Sequence, residues 1–273
     1  MRVGLQTGLR DIDQLVEQCR QLDVNEVVLP TRAFSDGAGE FLKALGKHDI
    51  QVSAFIPPNP SREAVLGDDK AELESLYKTL RTMGETNIKT VLLYPLDRFK
   101  NYLKEYHHEN PPLEVMPGEE RWGKIIEFFR RVADIAEEFD LKIANHVFAV
   151  DVMLEILETV GSPNLGVIYC TGMYMFGYDP HAGVDIYGID RIFLCHARNL
   201  VRHGPGRQGH EEVPLPDGDI DFAGNIRALM EAGYDGLIVP EHLGEAGELA
   251  DSVVYLRKLI DEAGKALGGP DND

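Results

Sequence analysis

Along this chain, short runs of aliphatic and β-branched residues alternate with longer stretches whose apolar positions recur every three or four residues. These are the periods of a buried strand and an amphipathic helix. Val3-Gly4-Leu5 opens the series, followed by a segment in which Ile12, Leu15, Val16 and Cys19 share one helical face. The pattern predicts strands at residues 3–5, 26–30, 51–56, 90–94, 141–146, 165–170, 192–196 and 237–241. Between and after them it predicts helices at 11–22, 38–47, 70–83, 119–139, 151–160, 183–188, 220–232 and 252–267.

Strict alternation of strand and helix implies parallel strands joined by right-handed crossovers. Eight such units in 273 residues suit a closed (β/α)₈ TIM barrel, which typically needs about 250. An open doubly wound sheet would carry a glycine-rich phosphate loop after its first strand, and Gln6-Thr7-Gly8-Leu9-Arg10 does not supply one. The expectation is one barrel over residues 1–267, with a disordered tail at 268–273. The long connection at 97–117, rich in Tyr, His, Glu and Pro, has the length of a lid or flexible excursion. Its tandem His107-His108 fits a surface lid better than a second metal site.

Charge narrows the partners. The formal net charge of −19, from 46 acidic and 27 basic residues, argues against nucleic acid and anionic membranes. Three irregularly placed cysteines do not make a disulfide framework, and the polar amino end lacks a signal-peptide apolar region. No apolar run approaches the roughly 18 residues of a membrane span. A cytoplasmic protein acting on a small molecule is expected, as a monomer or a homo-oligomer.

In such a barrel the chemistry sits at the C-terminal ends of the strands. Four successive strands end in Asn145-His146, Tyr169-Cys170, Cys195-His196 and Pro240-Glu241-His242. Taken singly, each is what packing or solvation also produces. Four in succession on one rim point to a shared divalent cation, since imidazole, thiolate and carboxylate all bind Zn²⁺, Mn²⁺ or Fe²⁺ at roughly 2.0 to 2.3 Å.

The runs Asn164 to Gly172 (NLGVIYCTG), Phe193 to Asn199 (FLCHARN), His210-Glu211-Glu212, Asp217 to Asp221 (DGDID) and Gly233 to His242 (GYDGLIVPEH) resemble mannonate dehydratase, of the wider xylose-isomerase-like barrel superfamily. The resemblance is strongest from the fifth strand to the eighth and looser over 52–96. It implies a Mn²⁺ site at His146, Cys170, His196 and Glu241, and removal of water from a sugar acid to give a 2-keto-3-deoxy acid. Glu241 stands where that family has Asp. Residues 244–250 lead straight into the final helix where that family has a Tyr-bearing segment, which argues against mannonate itself as the substrate.

Beyond the ligands, Arg198, Arg202 and Arg207 form a basic run suited to a substrate carboxylate, since guanidinium pairs with carboxylate in a two-pronged fork. His210 is the expected acid/base group, with Glu211 orienting or replacing it, and His242 is expected beside the substrate. Tyr94, Tyr174 and Tyr178 are alternative phenolic acids. A metal-dependent sugar isomerase or epimerase is the competing activity, weakened by the absence of an acid in LKIANH. A non-catalytic carbohydrate-binding barrel is the third reading, and it needs neither Arg198 nor His210.

Overall fold

The computed structural model describes residues 1–34, 37–96, 118–146, 150–176, 179–204, 209–243 and 246–268. The expected lid at 97–117 and its His107-His108 pair lie outside the described residues, as do Arg207, Tyr178 and residues 269–273 of the tail. Eight parallel units run in chain order around a barrel. β1 (Arg2–Val3) and β2 (Leu5–Gln6) are two halves of one strand, followed by β3 (Glu26–Pro30), β4 (Gln51–Ile56) and β5 (Thr90–Leu93). β6 (Lys142–Asn145), β7 (Leu165–Cys170), β8 (Ile192–Ala197) and β11 (Leu237–Pro240) complete it.

The hydrogen-bonded order is β1-β11-β8-β7-β6-β5-β4-β3-β2. The split first strand closes the barrel, β1 pairing with β11 and β2 with β3. Gly4 is the break, and a Cβ there would stand 2.8 Å from both the Glu26 carbonyl oxygen and the Leu237 Cδ1. Helices α1 (Ile12–Leu22), α2 (Ala38–Gly46), α3 (Arg62–Val65), α4 (Lys70–Gly84), α5 (Glu120–Glu138), α6 (Val150–Val160), α7 (Pro180–Tyr187), α8 (Phe222–Glu231) and α9 (Ala246–Leu267) form the outer layer. Among the described residues no helix is long and apolar enough to cross a membrane.

Strand alternation divides the core in two. Val28, Ala54, Leu92, Ala144, Ile168, Leu194, Leu237 and Val239 fill the barrel interior. Their strand neighbours Val27, Phe55, Val91, Ile143, Val167, Tyr169, Cys195 and Ile238 face the helices. At the N-terminal end of the barrel, the Glu26 carboxylate accepts hydrogen bonds from Arg2 Nη1 at 2.9 Å and Ser53 Oγ at 2.6 Å, joining β1, β3 and β4. Glu26→Ala removes the acceptor of two charge-assisted bonds and is expected to cost about 1–3 kcal/mol, with Arg2 largely resolvated by water. Urea unfolding of the variant checks this.

The structure departs from the predicted elements in identifiable places. α7 begins at Pro180, behind the Asp179 cap and with proline in its first turn, and α8 begins at Phe222 behind the Asp221 cap. α9 starts at Ala246, earlier than the predicted 252. The short α3, capped by Ser61, was not foreseen. The largest departure is an antiparallel hairpin of β9 (Asn199–Arg202) and β10 (His210–Val213), standing where a loose basic loop was expected.

Candidate metal centre

Each strand end delivers its side chain by the same rule. Two residues beyond an inward-facing interior residue comes the next inward position, at the mouth. Ala144 leads to His146, Ile168 to Cys170, Leu194 to His196 and Val239 to Glu241. Cys170 lies opposite His196 in the β7–β8 register, and His196 opposite Val239 in β8–β11. The backbone continues past the strands to fix the two end residues, with His146 N–H donating to the Leu93 carbonyl and Glu241 N–H to that of Ala197, both at 3.0 Å.

The four donor atoms lie within 4.8 Å of one another. His196 Nδ1 is 3.0 Å from Glu241 Oε2, and the Cys170 thiol donates to Glu241 Oε1 at 3.6 Å. The His146 and His196 rings are 5.6 Å apart, and Tyr94 leans on His146 at 5.3 Å. His196 has no exposed surface, yet its Nε2 has no hydrogen-bond partner among the described residues. Buried polar atoms are normally satisfied, so an unpartnered imidazole nitrogen within a cluster of potential ligands fits a cation.

The electrostatics agree. Burial pushes the Cys170 thiol up, with Glu241 adding to the effect, and Arg198 only partly offsets them. Burial also disfavours the Glu241 carboxylate, but the His196, His146 and His242 imidazoles outweigh it and hold the group well below the usual carboxylate range. A thiol, a carboxylate and two imidazoles crowded together out of water are a donor set that a divalent ion balances.

The residues around this cluster explain the two sequence runs that marked it. Thr171 Oγ1 accepts from Arg198 N–H at 2.8 Å and donates to the Arg198 carbonyl at 2.7 Å, tying the end of β7 to that of β8. At Gly172 a Cβ would stand 2.9 Å from Arg198 Cδ, so only glycine leaves the arginine its berth. The Asn199 carboxamide accepts from Ile220 N–H at 3.0 Å and donates to the Leu215 carbonyl at 2.6 Å, shaping the return of the hairpin.

The outer residues are rearranged relative to expectation. Arg198 is buried and ion-paired with Glu212. Burial opposes its charge, but Cys170, Glu241 and Glu212 together keep it protonated. Glu212 Oε2 also lies 3.2 Å from His242 Nδ1, and His242 Nε2 is 3.7 Å from Glu241 Oε1. His242 holds a left-handed backbone, φ 59°, that turns the chain at the mouth. Burial, the largest influence on it, holds its imidazole below the usual range.

On β10 it is Glu212, not singled out from the sequence, that faces the cluster, while the expected Glu211 points away from it. Side chains alternate along β10, so 210 and 212 share one face and 211 takes the other. Glu211 is accordingly exposed and paired with the exposed His203 at 3.1 Å. His210 is half-buried on the Glu212 face. Arg202 is exposed at the end of β9, its backbone N–H held by Asp219 at 2.7 Å, outside the cluster of donors.

Comparison with known proteins agrees with the barrel fold. The profile of the family described as Xylose isomerase-like TIM barrel matches residues 16–259. Mannonate dehydratase 1 of Halalkalibacterium halodurans is 29% identical over 146 residues, 47% of this chain and 40% of that protein. Inosose dehydratase of Geobacillus kaustophilus is 26% identical over 236 residues, 77% of this chain and 73% of that protein. The chain thus spans about two fifths of the length of the mannonate dehydratase it matches. The crystal structure of mannonate dehydratase from Streptococcus suis serotype 2 superposes with a TM-score of 0.75 at 16% identity, over 98% of this chain and 96% of that one.

Proposed function

The chain belongs to the Xylose isomerase-like TIM barrel family, and from that premise we propose that it is a metal-dependent hydro-lyase. Its substrate is a polyhydroxy acid of the aldonate type and its product a 2-keto-3-deoxy acid. The observation that carries this reading is the convergence of His146, Cys170, His196 and Glu241 within 4.8 Å, beside Glu212, which is ion-paired with Arg198 and lies 3.2 Å from His242 Nδ1.

His146, Cys170, His196 and Glu241 would hold the ion, Mn²⁺ in the first instance, with Zn²⁺ and Fe²⁺ suited to the same donors. When bound, the ion supplies Lewis acidity at the reacting end of the substrate. The protein's own groups move the protons. Glu212 Oε2 lies 3.2 Å from His242 Nδ1, so it would accept from Nδ1–H and leave Nε2 unprotonated and able to take the proton α to the carboxylate. Arg198 pins Glu212 from the other side. His210, on the Glu212 face of the hairpin, gives a proton to the departing β-hydroxyl, so that water leaves and the resulting enol tautomerises to the 2-keto acid.

Purified protein supplied with Mn²⁺ is expected to convert at least one aldonate of a stereoisomer panel to a product positive in a 2-keto-3-deoxy acid assay. A silent panel, with metal analysis showing the ion bound, removes the proposal. Exchange of the C2 proton with solvent deuterium without loss of water would instead make the protein an isomerase or epimerase.

A further inference from the structure

The sequence pointed to Arg198 and the basic run after it as the carboxylate receptor, but the structure gives Arg198 another partner. That guanidinium is 4% exposed, and Glu212 answers its charge. A second arginine stands in a different situation. Arg32, directly after β3, lines a cavity of about 500 Å³ together with Gln6, Thr7, Ile56 and Asn59. Gln6, Pro30 and Ile56 occupy the strand-end positions of β2, β3 and β4, the same level of the barrel at which the later strands present the four metal donors. This cavity is therefore the first-half side of the mouth whose second half is the candidate metal centre.

Three features of the cavity point to one class of ligand. Arg32 is exposed to it, lies with Nη2 3.3 Å from where a Cβ on Gly8 would stand, and has no acidic partner among the described residues. An unpaired guanidinium at the mouth of a chain with net charge −19 is a local anion receptor. Gln6 and Asn59 line the same cavity with carboxamides, each of which has both donor and acceptor groups for hydroxyls.

We infer that this cavity binds the substrate, Arg32 taking its carboxylate and the Gln6 and Asn59 carboxamides lying beside its hydroxyls. The inference rests on the reading of the site as one for a polyhydroxy acid, and it selects the anionic mannonate type of ligand over the uncharged inosose type.

Titration calorimetry on the Mn²⁺-loaded protein tests it, with a panel of aldonates that includes mannonate, and with inosose as the neutral probe. Wild type is expected to bind an aldonate, and Arg32→Gln to weaken that binding roughly ten- to hundred-fold with unchanged metal content and thermal stability. Arg32→Lys should restore part of the loss, keeping the charge without the planar fork. Unchanged aldonate affinity in Arg32→Gln overturns the inference, as does a wild type that binds no aldonate or prefers inosose to all of them. Aldonate binding that depends on Arg32 without turnover would sink the dehydratase proposal and leave this site standing. Turnover indifferent to Arg32 would do the reverse.

Discussion

His196→Ala is expected to leave the purified protein unable to retain a divalent ion, and Cys170→Ser to weaken retention on the order of 100-fold or more. Loss of an outer partner of a metal ligand already costs about 10- to 100-fold, and these two changes remove donors themselves. His196 is central because its ring has no exposed surface, touches Glu241 at 3.0 Å and faces the His146 ring at 5.6 Å. Serine at 170 keeps the volume close to that of cysteine but replaces a soft thiolate donor with a hydroxyl that does not ionise at neutral pH. Metal analysis after dialysis reads the effect without any assay of turnover. Cobalt-loaded wild type should also show near-ultraviolet sulfur-to-metal absorption that Cys170→Ser lacks. If both variants keep one ion per chain, the ion is held elsewhere and the site is misassigned.

The clustering of these four side chains was legible before the structure because barrel strands are short apolar runs with a period of two. Once the runs ending at His146, Cys170, His196 and Glu241 were recognised as strands, the mouth positions followed from where they stop. Parallel register then brought the four ends together, as the Cys170–His196 pairing shows. The β9–β10 hairpin was not legible for the converse reason. Its strands are short, largely polar, and carry arginine, histidine and paired glutamates instead of an alternating apolar face. Read as a loop, that segment gives no reason to prefer Glu212 over Glu211. Read as a strand, alternation alone places 210 and 212 together. Arg32 escaped notice because an arginine after a strand is ordinary in a sequence. What distinguishes it is the lack of an acidic partner among the described residues at the edge of a cavity shared with Gln6 and Asn59, which only packing reveals.

Glu212→Gln is expected to lower dehydration by about 10²- to 10⁴-fold, nearly as much as His242→Ala, while metal content stays at the wild-type level. The change is almost isosteric, so its force comes from proton placement. In the wild type one carboxylate oxygen is ion-paired with Arg198, and the other lies 3.2 Å from His242 Nδ1, where it would accept from a protonated Nδ1. A carboxamide has one acceptor and one donor end. Arg198 is buried and permanently charged, so it takes the carbonyl oxygen, and the amide nitrogen must then face His242. The imidazole answers by accepting at Nδ1 and carrying its proton on Nε2, the tautomer that is unable to remove a proton at the mouth. The fall should appear in kcat with little change in KM, since Glu212 positions the base without itself holding substrate. Ring-nitrogen NMR shifts of His242 in Zn²⁺-loaded protein give a second readout that needs no turnover. Wild-type protein should show Nδ1 protonated, and Glu212→Gln should show Nε2 protonated. A variant with the wild-type tautomer and undiminished kcat would mean that Glu212 serves only to neutralise Arg198, and that the base lies elsewhere at the mouth.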